Sequence, residues 1–357
     1  MRLLDRIAQC RTPFVVQIIA NGRCTRLSGA SDYADTLAKC PIRYVLSDDL
    51  VRLCADLAYS KGARTLECAD LLRIPAVHLW VEWAEAPWRA ELARHGIRSC
   101  SQHSCISGRR GAWIQGSSDG RRGQLRTFWT TGEKNEDVRV SSMEAYFDLD
   151  AEDTGPESFD DGRGATFAVF DDENAEADLL RRCLRFRYER SWAQYYDSAT
   201  LNRSERDAIA HRALGTIAVD VPPLVAFFLL LSTRAGLPQQ SCALTRLNRA
   251  RLRLGKAPLL DYVDVSSPLL QPHQQTAGEV TDSGRRSPRL HHVRGHLFRR
   301  GSQLIWRVPH VRGSIRRGAL RSRTVTWTFD SLSSPANARE FADSAKASSF
   351  AQSALKP

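Results

Sequence analysis

No run in this chain approaches the eighteen or so apolar residues that a membrane-spanning helix needs, so no membrane segment is expected. The nearest, Leu224 to Leu231, has the length of a buried helix. The opening residues, MRLLDRIAQC, place Asp5 and other polar side chains where a secretory leader needs an apolar stretch. No two of the 9 cysteines have the CxxC spacing, and their number is odd. That argues for reduced thiols rather than a disulfide framework, and a cytoplasmic chain is expected. Lysine is scarce too, with 6 against 45 arginines among the 51 cationic residues. The most informative absence is local: between Ser283 and Phe329 there is no Asp, Glu or Lys.

That same interval holds 12 Arg, so subtracting it from a whole-chain charge of +11 leaves the remainder near −1. The excess charge sits in one segment, the footprint expected of nucleic-acid contact. An Arg-rich composition could follow from genomic base content, and a charge run is ordinarily a solvated face. Neither explains the missing carboxylates.

From Arg289 to Phe329 the chain reads RLHHVRGHLFRRGSQLIWRVPHVRGSIRRGALRSRTVTWTF. Gly301-Ser302 separates two runs rich in apolar and aromatic residues, the pattern of a hairpin. With Arg300 opposite Gln303, the register places His296 opposite Arg307, Leu297 opposite Trp306 and Val293 opposite His310. One face then carries Val293, Leu297, Trp306 and Val308 against a core. The other shows His292, Arg294, His296 and Arg307, with Phe298 and Ile305 as a flat apolar platform. A third strand is expected over Thr324 to Phe329. The candidate phosphate-binding residues are Arg289, His292, Arg294, His296, Arg299, Arg300, Arg307, Arg312, Arg316 and Arg317.

Earlier in the chain, Asn21-Gly22 marks a hairpin between Phe14 and Leu27. Ser47 caps a helix whose dipole Asp48 and Asp49 complement and whose stripe is Leu50, Leu53, Cys54 and Leu57. Another helix is expected from Leu66. His78 to Trp83 reads as a buried strand, and Trp80, Trp83 and Trp88 as packing residues. His95, Cys100, His103 and Cys105 fit no recognised zinc spacing, so no metal is expected there. Alternating runs at Ala112 to Gln115, Leu125 to Thr130 and Val138 to Val140 suggest a meander, with the Arg109-Arg110 and Arg121-Arg122 pairs in solvated turns.

Glu144 to Asp178 reverses the charge, with 13 acidic residues against Arg163 alone. It contains a possible strand from Ala165 to Phe170 flanked by carboxylates, and it could also cover the Arg-rich segment in cis. Leu180, Leu184, Tyr188, Trp192 and Tyr195 recur at helical spacing. Further helices are read after Ser204, after Asp220 with Pro222 and Pro223 just inside, and after Pro238, the last carrying Arg246, Arg249 and Arg253. Ser266 to Pro288 reads as a linker.

The fold class expected is α+β: a mixed N-terminal α/β region with a β meander over 1–150, an acidic segment and helical bundle over 151–260, a linker over 261–288, a small basic antiparallel β unit over 289–330, and a tail over 331–357.

LNRARLRLGKAPLLDYVDV, followed by RLHHVRGHLFRR and WRVPHVRG, resembles the end of uncharacterised proteins of tailed bacteriophages and prophages, over residues 247–318. The matching positions are His291, His292, Arg294, Gly295 and His296, then Trp306, Pro309, His310, Arg312 and Gly313. The resemblance implies a phage or prophage origin, in the cytoplasm of a bacterial host cell, and a recurring basic module, not a mechanism.

The function expected is nucleic-acid binding through the basic β surface, with no cofactor. Two alternatives stay open. One is a metal-independent nuclease using His292 or His296 as acid or base. The other is a phage assembly or host-interaction protein that docks an acidic surface.

Overall fold

The computed structural model describes residues 2–9, 17–20, 23–26, 29–59, 71–96, 108–131, 137–150, 183–198, 217–233, 236–267, 289–293, 295–307, 310–312 and 314–319, with a few isolated positions between them. The chain divides into two compact units, Met1–Pro272 with Arg294–Pro309, and His273–Val293 with His310–Pro357. The fold is α+β, as expected from the sequence.

The first unit is built on a 9-stranded mixed sheet. Strand β3 (Ile42–Leu46) leads into helix α3 (Asp48–Tyr59), and β4 (His78–Ala84) returns parallel to β3. Ser47 starts the helix as expected, its Oγ accepting from the Leu50 amide at 3.4 Å, and Leu50, Cys54 and Leu57 are buried. An antiparallel meander follows: β5 (Arg109–Gly116), β6 (Arg122–Thr131), β7 (Asp137–Val140) and β8 (Met143–Asp148). These strands continue the same sheet as β3 and β4.

The two-residue period of a strand divides the unit's interior. Leu79, Val81 and Trp83 of β4, with Ala112 and Ile114 of β5, face one apolar cluster; Trp80, Trp113 and Phe128 face a second, which also holds Leu3, Leu4 and Ile7 of helix α1 (Leu3–Gln9). Gly111 allows this packing, because a Cβ there would collide with the Trp80 indole. Glu82 shares the face of Trp80 and is wholly buried. Its carboxylate accepts the Leu3 and Leu4 amides at 2.8 and 3.1 Å, so an interior strand holds the start of α1. Trp80, Trp83 and Trp88 are all buried, in keeping with a packing role.

The C-terminal half of the first unit departs from the periodicity reading. Leu184–Tyr188, expected within a helix, is strand β9, paired with β8; the helix begins at Arg190 (α5, Arg190–Ser198). The residue after Pro238 starts strand β10 (Gln239–Cys242), and the helix expected from there, carrying Arg246, Arg249 and Arg253, begins only at Thr245 (α7, Thr245–Arg253). Tyr262–Val265, expected in a linker, is β11, lying between β10 and β3. In each case an open sheet edge supplied backbone partners that local spacing does not report.

The apolar helix after Asp220 is present as α6 (Val221–Leu231), with Val221 to Leu230 all buried. It belongs to the cluster formed by α3 and the sheet rather than to a separate bundle, and the Tyr59 hydroxyl donates to the Val219 carbonyl at 2.7 Å. The amino-terminal hairpin is present, β1 (Gln17–Ala20) against β2 (Arg23–Arg26) with Ala20 opposite Arg23. Among the described residues no helix is long and apolar enough to cross a membrane.

In the second unit, β12 (Arg289–Val293) pairs antiparallel with β15 (His310–Arg312) and parallel, through an irregular register, with β16 (Ser314–Ala319). The acidic run beyond Asp150, the candidate zinc ligands Cys100, His103 and Cys105, most of the Leu66 to Leu72 stretch, the linker beyond Ser267, the strand expected at Thr324 to Phe329 and the tail lie outside the described residues.

Candidate nucleic-acid interface

Strands β13 (His296–Arg300) and β14 (Gln303–Arg307) form the expected hairpin in the first unit, with His296 opposite Arg307, Leu297 opposite Trp306 and Arg300 opposite Gln303. Gly301 takes φ 60° in the turn, a left-handed conformation open to glycine at no steric cost. Alternation separates the faces. Leu297, Leu304 and Trp306 enter the main apolar cluster, while His296, Arg300 and Arg307 are exposed on the other face; Arg299, opposite Leu304, is exposed at the turn end of the core side. The hairpin is therefore anchored by burial and presents cations to water.

Phe298 and Ile305 lie half-buried on the cationic face. Arg307 covers Phe298, its guanidinium carbon 4.4 Å from the ring centroid. The expected apolar platform is thus one half of a cation–π pair. Arg299 is held at the turn, its Nε donating to the Gly301 carbonyl at 2.8 Å.

The other candidates are not gathered on this hairpin. Arg289 and His292 lie on β12, Arg312 on β15, and Arg316 and Arg317 on β16, all in the second unit. There Val293 lies opposite His310, as the register expected. Arg294 lies outside the described residues. The basic segment is therefore divided between two units, and the two histidines of the nuclease reading fall on different ones.

Arginines differ sharply along the chain in what they meet. Arg89 pairs with Glu85, Arg94 with Asp56, Arg110 with Asp220 and Arg121 with Asp150 at 2.6 to 2.7 Å, and Arg109 with Glu82 and Arg126 with Glu144 in close contact. By contrast, Arg246, Arg249, Arg251, Arg253, Arg300 and Arg307 have no ion-pair partner among the described residues. Among the candidate binding arginines, Arg300 and Arg307 thus differ from the structural arginines in their surroundings.

Arg110 is where sequence reasoning missed most. Expected in a solvated turn, it lies on β5, 2% exposed, with the fully buried Asp220 carboxylate 2.7 Å away and Glu85 at 3.7 Å. Its guanidinium sits over the Trp88 ring at 4.6 Å. Burial pushes the Asp220 carboxyl up to about 6, against the lowering influence of Arg110. No local signal marks this pair, because its members stand far apart in sequence.

Asp56, Glu91 and His95 place three potential metal-ligand atoms within 4.8 Å of one another. Arg94 donates to Asp56 Oδ1 at 2.6 Å and contacts Glu91 Oε1, the same oxygens that His95 Nε2 approaches at 3.4 and 3.3 Å. A guanidinium nitrogen holds the place a cation would take, so the group reads as an ion-pair cluster. An open groove of about 570 Å³ is lined by His78, Gln115, Arg122, Tyr146 and Asp148, and there Arg122 already pairs with Asp148 at 3.2 Å.

Protein-family models, curated proteins and solved structures were compared with the chain, and none matches it.

Proposed function

We propose that this protein binds nucleic acid, gripping phosphates with the cationic face of the β13–β14 hairpin, and that it originates from a phage or prophage and works in the cytoplasm of a bacterial cell. The observation that carries the reading is the contrast in arginine pairing. Arg300 and Arg307 stand exposed with no carboxylate partner among the described residues, on a hairpin whose Leu297, Leu304 and Trp306 are buried. Guanidinium groups in that state contact polyanions without first breaking an internal ion pair. The Arg307 guanidinium over Phe298 also supplies a cation and a ring for contact with an unpaired base.

Fluorescence anisotropy of labelled duplex DNA, single-stranded DNA and RNA across a salt series tests this. Each phosphate contact contributes about 0.9 to the log–log salt slope on duplex DNA and about 0.7 on single strands. Replacing Arg300 and Arg307 together by Ala should therefore flatten the slope by about 1.4 to 1.8 and weaken binding at low salt. A salt response that is flat in the parent protein, or unchanged in the double variant, would overturn the proposal.

A further inference from the structure

Helix α7 (Thr245–Arg253) has a surface of a different kind from the hairpin: none of its residues is buried. Four large hydrophobic side chains are exposed among the described residues, and three of them belong to α7 and its C-cap: Leu247 at 48%, Leu252 at 60% and Leu254 at 70%. At 100° per residue Leu247, Ala250 and Leu254 form one stripe, and Arg246, Arg249 and Arg253 fill the neighbouring arc. From Thr245 to Leu260 there is no Asp or Glu.

Polar bonds rather than apolar packing hold this helix in place. Asn248 exchanges two hydrogen bonds with the backbone of Leu259, each 2.8 Å, and Arg251 Nε donates to the Ala257 carbonyl at 2.8 Å. Asp261 accepts the Leu244 amide at 2.7 Å, just before the first turn. The ridge is therefore ordered before any partner arrives, which lowers the entropy lost on docking.

We infer that α7 is a protein-docking ridge whose partner is an acidic amphipathic helix, its apolar stripe packing on Leu247 and Leu254 and its carboxylates meeting Arg246, Arg249 and Arg253. Charge selects the partner. A second copy of this chain would bring one arginine row against another, and a phosphate backbone would leave the leucines against polar groups. The hairpin has the opposite design, burying Leu297 and Leu304 beneath its cations. This inference stands apart from the nucleic-acid reading, since the hairpin arginines test one and the α7 leucines the other.

The test uses the full chain and a synthetic helical peptide with leucines at helical spacing between glutamates, read by fluorescence anisotropy. The parent protein should bind the peptide. Leu247→Ser with Leu254→Ser should weaken binding by about tenfold or more, as should Arg246→Glu with Arg249→Glu. The serine variant should keep its affinity for duplex DNA. Absence of peptide binding, or equal binding by the serine variant, overturns the inference. So does finding, by sedimentation, that the leucines govern self-association or attachment to phosphatidylserine vesicles.

Discussion

Replacing Asp220 by Asn should reveal a pH dependence opposite in sign to that of most buried ion pairs. The carboxylate lies at the start of α6, wholly buried, and one of its oxygens, Oδ1, has no hydrogen-bond partner among the described residues. Its ion-pair partner, Arg110, is also approached by Glu85. Burial outweighs the attraction and raises the carboxyl from 3.8 to about 6. A raised carboxyl binds its proton more tightly in the folded chain, so its stabilising contribution is full below about pH 4 and is lost as pH rises through 6. A rise from 3.8 to about 6 corresponds to about 3 kcal/mol in all.

Urea unfolding of the parent and Asp220→Asn proteins, followed by tryptophan fluorescence from pH 4 to 7.5, isolates this group because the other carboxylates are common to both. The parent's advantage over the Asn variant should shrink by about 2.5 kcal/mol across that range. An advantage that grows with pH would mean that Arg110 holds the carboxyl below its ordinary value, and the reasoning from burial would fail.

Three further outcomes follow from the packing. Trp306→Ala should destabilise the protein by about 3–5 kcal/mol in thermal or chemical unfolding, since the indole joins the main core. Arg300→Ala, on the opposite face, should stay within about 0.5 kcal/mol of the parent. Glu82→Ala, which strips the Leu3 and Leu4 amides of their acceptor and leaves Arg109 without its carboxylate, should cost roughly 3 kcal/mol and speed proteolysis or amide exchange at α1, with little change in the salt slope of nucleic-acid binding.

Much of the candidate site was legible because its signals are local. Gly301-Ser302 and the alternation on either side specify both the hairpin register and the face that faces water, and the structure has that register. The missing carboxylates between Ser283 and Phe329 were equally plain. What could not be read was the division of that run between two units, since the choice of which hairpin joins the main core depends on apolar surface contributed by distant segments.

By itself the sequence determined the α3 cap and stripe, the β1–β2 hairpin, the turn at Gly301-Ser302, the burial of α6 and of Trp80, Trp83 and Trp88, and the concentration of positive charge. Each is set by a neighbour's conformational preference or by a side chain's affinity for water. Tertiary structure alone decided that Leu184–Tyr188, Gln239–Cys242 and Tyr262–Val265 are strands, and that Arg110 is interior. Leu184 and Tyr188 stand four residues apart, a spacing a helix and a strand can both satisfy, and only the free edge of β8 selects between them. Likewise a guanidinium enters the interior only where a carboxylate waits, and Asp220 reaches Arg110 from 110 residues along the chain.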